Sequence, residues 1–154
     1  MKIAAVVIAC QGREELCRDT IDALLRTDWP ESWPVIVSRD EAIEGTRQHR
    51  QQMNALAGLR AGAELEPEFI LFFEDDLAFN PHLAHNLTQW RPLRDGSIGM
   101  GSLYNPTIHE MERSETEHWF RASPDAVYGS QAYLFSLDTA RFITEHWHEI
   151  EGMQ

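Results

Sequence analysis

The segment Phe69-Ile70-Leu71-Phe72-Phe73-Glu74-Asp75-Asp76 constrains this chain most, because five apolar residues run straight into three carboxylates. An apolar run without alternation marks a strand covered on both faces. Such strands belong to sheets with helices on either side, and ligands of open α/β sheets bind at the carboxyl ends of the strands. Three acids crowded at one such end repel one another. A divalent cation offsets that repulsion, since hard cations take oxygen ligands. Glu74, Asp75 and Asp76 therefore read as a metal site at the mouth of a sheet. The competing reading is an acidic helix start in which Asp76 or Asn80 is a cap.

The rest of the pattern fits that sheet. Residues 3–9 are rich in Val and Ile and read as a first buried strand rather than a signal peptide. Residues 14–26 read as a helix with Cys17, Ile21, Leu24 and Leu25 on one face. A short strand follows at 35–37. Thr46 is a candidate N-cap for a helix running to about residue 61, with Met53, Leu56 and Leu59 on one side. Residues 68–73 form the acidic strand. Asn80-Pro81 then suits an N-cap with proline at the first helical position, and Leu83, Leu87 and Trp90 form the apolar stripe. Strands are expected at 97–103 and 128–136, with a polar, irregular stretch at 105–125 between them. A closing helix is expected at 138–150, buried through Ile143, Trp147 and Ile150. Alternation of this kind predicts an α/β fold with a mostly parallel central sheet flanked by helices, in a single domain over residues 1–154.

Charge and cysteine content narrow the function. The net charge of −12 has the wrong sign for general nucleic-acid binding, whose non-specific affinity is largely electrostatic. An acidic protein can still hold a nucleoside diphosphate if a metal bridges the two. Cys10 and Cys17 are too few for a disulfide scaffold and are expected as reduced thiols, one at a strand end and one on a helix face. No apolar run approaches transmembrane length, and a cytoplasmic protein is expected.

Four constellations could carry chemistry. In an extended backbone residues i and i+2 point the same way, so Glu74 and Asp76 can face one ligand while Asp75 faces the other side. Mn or Mg there would suit the oxygens of a diphosphate. At the end of the first strand, Ala9, Gln11 and Arg13 offer backbone groups, an amide and a guanidinium to a nucleobase or phosphate, or else form a plain strand-to-helix turn. Asp40 could accept from a ribose or base, or simply belong to a turn. Arg47, Arg50 and Asn54 share one side of their helix and could face a diphosphate or solvent. The glycine in Tyr128-Gly129-Ser130-Gln131 marks either close approach of a ligand or ordinary strand packing. No phosphate-loop, dinucleotide or nucleophile-elbow pattern is present. The histidines, among them the pair His82 and His85, lie in no zinc-type spacing with cysteines and read as surface residues.

Taken together, these segments resemble glycosyltransferases of the GT-A fold, a Rossmann-like architecture. Phe72-Phe73-Glu74-Asp75-Asp76 looks like the Glu-Asp-Asp variant of the acidic DXD motif. That variant is seen in the family-25 enzymes of lipopolysaccharide and collagen modification, with close forms in family 2. Tyr128-Gly129-Ser130-Gln131-Ala132-Tyr133-Leu134-Phe135-Ser136 resembles the family-25 segment that packs beside the acceptor. The helix opening at Thr46 resembles the one from which an Arg and an Asn often face the donor. The resemblance implies a nucleotide-sugar-binding domain and Mn or Mg held by Asp76 with help from Glu74. The donor site it implies includes Ala9, Gln11, Arg13, Asp40, Arg47, Asn54 and Asp75, and the acceptor site includes Tyr128, Gly129, Ser130 and Gln131.

The chain is short for such a catalytic domain, so it reads as either truncated at the C-terminus or minimal. Many members of the fold also supply a late metal-binding His, and an acidic residue near the acceptor acts as base. Asp125, beside the Tyr-Gly strand, is the candidate base for an inverting transfer. The expected activity is transfer of a hexose from a nucleotide sugar, with a UDP-sugar the expected donor, to a glycan or other hydroxyl acceptor. The alternatives are a non-catalytic GT-A-like module that binds a nucleotide or glycan, and a metal-dependent nucleotidyltransferase.

Overall fold

A computed structural model describes residues 1–41, 44–103 and 131–150. The candidate residues Asp125, Tyr128, Gly129 and Ser130 lie outside the described residues.

Strand β1 (Ile3–Ala9) is buried along its whole length, as the apolar run requires. Helix α1 (Glu14–Leu25) follows, then β2 (Val35–Arg39), α2 (Arg47–Glu64) and the acidic strand β3 (Phe69–Glu74). Two short helices, α3 (Leu83–Gln89) and α4 (Arg91–Arg94), lead to β4 (Met100–Ser102). The remaining elements are β5 (Ala132–Ser136), α5 (Leu137–Glu145) and α6 (Trp147–Ile150). The five strands form one sheet in the order β2-β1-β3-β5-β4.

β1 is parallel to both β2 and β3, with Ile8 opposite Ser38 and Glu74. β5 is antiparallel to β3 and to β4. The expected mostly parallel sheet therefore holds on the β2-β1-β3 side, while both pairings made by β5 are antiparallel. The physical reason is connectivity. β3 reaches β4 through helices and keeps its direction, as a crossover demands. No helix was readable between β4 and β5, so nothing in the pattern imposed a direction on β5.

Helices cover both faces. On one, Ile3, Ala5, Val7 and Ala9 pack with Phe69, Leu71 and Phe73 against Cys17 and Leu24 of α1, Trp29, Trp33 and Leu87 of α3. On the other, Val6, Ile8 and Ile70 meet Leu59 and Ala63 of α2 and Ala140 of α5. α2 sits close because Gly58 and Gly62 face the sheet. A Cβ at Gly58 would lie 2.7 Å from Ile8 Cδ1, and one at Gly62 would lie 2.7 Å from Val6 Cγ2.

Several local expectations shift. Leu25 is 57% exposed and Met53 41% exposed, so neither joins the buried face expected of it. Thr46 does cap α2, its side chain accepting from the His49 N–H. Asn80 does not cap α3. It accepts from the His82 N–H in the preceding turn, and the carboxylate of Asp28 accepts from Ala84 N at 2.7 Å and His85 N at 2.9 Å. The closing helix breaks into α5 and α6 at His146, whose ring pairs with the Phe142 carbonyl at 2.9 Å and stacks on the Phe142 ring. Both cysteines are free, Cys17 buried in α1 and Cys10 just past β1.

Candidate functional site at the carboxyl edge of the sheet

Parallel pairing brings the carboxyl ends of β1, β2 and β3 to one edge of the sheet. β4 ends at the same edge and β5 starts there: Ser102 is paired with Tyr133, and Glu74 N donates to the Gln131 carbonyl at 3.0 Å. Of the described residues singled out from the sequence, most come to this edge, from the ends of β1, β2 and β3, from the β1–α1 turn and from α2.

Asp75 is the deepest of them, with a side chain only 1% exposed. Three contacts fix it. Its Oδ2 accepts from the Cys10 N–H at 3.1 Å, and its main-chain carbonyl accepts from the Thr20 hydroxyl at 2.8 Å. Its Oδ1 lies 3.3 Å from Arg13 Nη2, yet this buried oxygen accepts no hydrogen bond. The same Nη2 donates to Asp76 Oδ2 at 2.8 Å. Arg13 thus holds two carboxylates with one nitrogen. The hydrogen bond to Asp76 raises the Arg13 pKa above its ordinary value and outweighs the opposing effect of burial.

Glu74 points elsewhere. It ends β3, half-buried, and by alternation shares the side of Phe72. There Phe72, Tyr133 and Phe135 form an aromatic cluster. Burial raises the Tyr133 pKa, and the negative charge of Glu74 adds to the effect. The expected pairing of Glu74 and Asp76 on one side, with Asp75 alone on the other, does not occur. The chain bends at Asp75 and Asp76, which ends strand alternation, and Arg13 gathers those two instead. Among the described residues, no three or more of His, Cys, Asp and Glu come together as a metal-holding group.

A second cluster lies at the ends of β1 and β2. Asn54 of α2 is buried, its amide donating to the Ala9 carbonyl at 3.1 Å and the Ser38 carbonyl at 3.3 Å. The Ser38 hydroxyl donates back to Asn54 Oδ1 at 2.7 Å. Asp40 N donates to the Ala9 carbonyl at 3.2 Å. Asp40 is itself buried and pairs with Arg50 Nε at 3.1 Å. Gln51 reaches the Cys10 sulfur at 3.7 Å, joining the two clusters.

Ala9, Arg13, Asp40, Asn54, Asp75 and Asp76 are therefore assembled at one edge. Gln131 arrives there through its backbone. Gln11 sits exposed in the β1–α1 turn, and Arg47 is exposed in the first turn of α2. Sequence reasoning missed Thr20 and Ser38. Only Thr20 left a signal, since it shares the buried face of α1 with Cys17 and Leu24 at helical spacing.

Among the described residues, no helix is long and apolar enough to cross a membrane. No protein-family model matches the sequence, and no curated protein resembles it closely enough to be a relative.

Proposed function

We propose that this chain is a metal-dependent glycosyltransferase of the GT-A type, moving a hexose from a nucleotide sugar to a hydroxyl acceptor. The observation that carries the reading is the convergence of buried Asp75 and half-exposed Asp76 with Arg13, Asp40 and Asn54 at the carboxyl edge of the sheet. This is where open α/β sheets bind their ligands.

The donor atoms there suit a hard divalent cation. Mg-type ions are held through one or two carboxylates together with substrate phosphates, so a cage of three protein ligands is not required. Asp76, with Asp75 beside it, would hold Mn or Mg, and the three contacts that fix Asp75 give the edge its shape. When bound, the cation supplies positive charge where the diphosphate departs. Asn54 locks the backbone of Ala9 and Ser38, so that the turn after β1 and the end of β2 are set before a donor arrives. Asp40, oriented by Arg50, is a carboxylate acceptor for ribose or base hydroxyl and amino groups. Gln131 stands on the acceptor side, with Tyr128, Gly129 and Ser130 completing that segment. In an inverting transfer Asp125 takes the acceptor proton as the acceptor oxygen bonds to the anomeric carbon and the bond to the diphosphate breaks.

The test is release of nucleoside diphosphate from UDP-, GDP- and CDP-sugars with Mn(II), comparing wild type with Asp76→Ala. We expect a loss of about a hundredfold or more in the variant, the scale of removing a group that stabilises charge in the transition state. Circular dichroism checks that the fold is kept. Undiminished release by a folded Asp76→Ala protein overturns the reading. Nucleotide binding with no turnover of any sugar donor replaces it with a binding module.

A further inference from the structure

Arg13 occupies the ground between the two carboxylates at the bend after β3. Its side chain is one-third exposed, and it springs from the β1–α1 turn rather than from the packed part of α1. One nitrogen makes both contacts, at 2.8 Å to Asp76 and 3.3 Å to Asp75. Only the first is a directed hydrogen bond, and buried Asp75 Oδ1 is left without one. A buried carboxylate oxygen held by charge alone is under-satisfied, because a desolvated acceptor costs free energy until it is bonded. A guanidinium that shares one N–H corner between two acids also forgoes the two-pronged pairing that makes such contacts strong. This is a weakly committed cation facing an acid that wants a better one.

We propose that Arg13 is an exchangeable counter-cation: it offsets part of the charge of Asp75 and Asp76 when no divalent ion is bound, and it is displaced from them when one binds. The inference rests on the metal reading above and adds a coupling to it. Displacement frees the Arg13 N–H groups beside the incoming ion, where they can meet the phosphate oxygens of a nucleoside diphosphate. Metal and nucleotide then favour each other's binding, since the ion removes the partner that kept Arg13 from the anion, and such coupling is reciprocal.

The test is calorimetric titration of Mn(II) into the intact chain, without nucleotide and with saturating UDP, for wild type and Arg13→Gln. Without nucleotide, Arg13→Gln should bind Mn(II) about two- to fivefold more tightly, the range a partly exposed charge pair is worth. The gain in Mn(II) affinity that UDP gives the wild type should shrink in the variant. Arg13→Lys keeps the charge but not the fork, and should fall between the two. It also serves if Arg13→Gln does not fold. Wild-type binding of Mn(II) with equal or weaker binding by Arg13→Gln overturns the exchange and leaves the metal reading standing. Failure of both folded proteins to bind Mn(II) overturns the metal reading and the exchange with it.

Discussion

Asn54 shows how a single side chain fixes the candidate site. Its carboxamide uses both donor and acceptor, bridging the ends of β1 and β2 through Ala9 and Ser38. Truncation removes three part-buried or buried hydrogen bonds and leaves the Ser38 carbonyl without that donor, while the Ala9 carbonyl keeps the Asp40 N–H and the Ser38 hydroxyl keeps the Asn54 main-chain carbonyl. Asn54→Ala should therefore cost about 2–3 kcal/mol, two or three net hydrogen bonds with some desolvation. Urea unfolding at neutral pH measures it, and a loss below about 0.5 kcal/mol contradicts the role. At this scale the sequence was partly legible. Asp40 was readable as a candidate because it follows a strand, and Asn54 because it shares one side of its helix with Arg47 and Arg50. Their partners Ser38 and Arg50 were not readable as such, since contacts between β2 and α2 depend on how the helix lies on the sheet. The grouping of the three acids was misread for a related reason. Strand alternation holds only while the chain is extended, and the chain bends at Asp75.

The elements were read from periodicity, and periodicity finds a buried face without saying how closely it packs. β1, α1, α2 and β3 fall where the pattern put them, give or take a few residues. What the pattern left out is that α2 touches the sheet through glycines. Gly58→Ala would gain helix propensity of about 1 kcal/mol. The new methyl, however, would meet Ile8 Cδ1 at 2.7 Å and Ser38 Cβ at 2.9 Å. Overpacking costs about 1–3 kcal/mol, so the net change should be destabilising by about 1 kcal/mol. A stabilised Gly58→Ala protein in the same urea assay contradicts this packing.

Helix α3 gives a second element-scale case. Its capping acceptor is Asp28, which is distant in sequence, and local signals drew attention to Asn80 instead. Partial burial raises the Asp28 pKa, but the two N–H groups at the helix start outweigh it and hold the carboxyl below its ordinary range. A lowered folded-state pKa gives stability that is present above the unfolded value, about 3.9, and is lost as pH falls through the folded one. Asp28→Ala should cost about 1 kcal/mol at pH 7, the usual scale of a lost cap. The gap between variant and wild type should narrow below about pH 4. A pH-independent gap contradicts the charge-based cap.

For the whole molecule, the layered α/β plan follows from two facts visible in the sequence. Strands β1 and β3 have no polar face, and helical patterns separate them. A sheet buried on both sides then follows, and its carboxyl edge becomes the place for a site. The run of β5 against its neighbours was not legible, because direction is set by connections and not by the strand's own residues. The consequence is functional. An antiparallel β5 begins at the edge where β1, β2 and β3 end, so Gln131 reaches the acids at the close of β3. The same topology concentrates acidic groups of a chain with net charge −12 at one edge. A divalent cation offsets that concentration and so lets an anionic nucleotide bind beside it.

That expectation gives the most direct test of the central claim, that this edge is a metal-dependent nucleotide site. Thermal unfolding would be followed with UDP, GDP and CDP, each with and without Mn(II), for wild type and Asp76→Ala. A ligand that binds only the folded state adds about 2.7 kcal/mol at a hundred times its dissociation constant, which for a domain of this size is about 5–10 °C. We predict such a shift for one nucleotide, dependent on Mn(II) and absent in Asp76→Ala. Equal melting temperatures under all conditions, or a shift that survives in Asp76→Ala, would contradict the account.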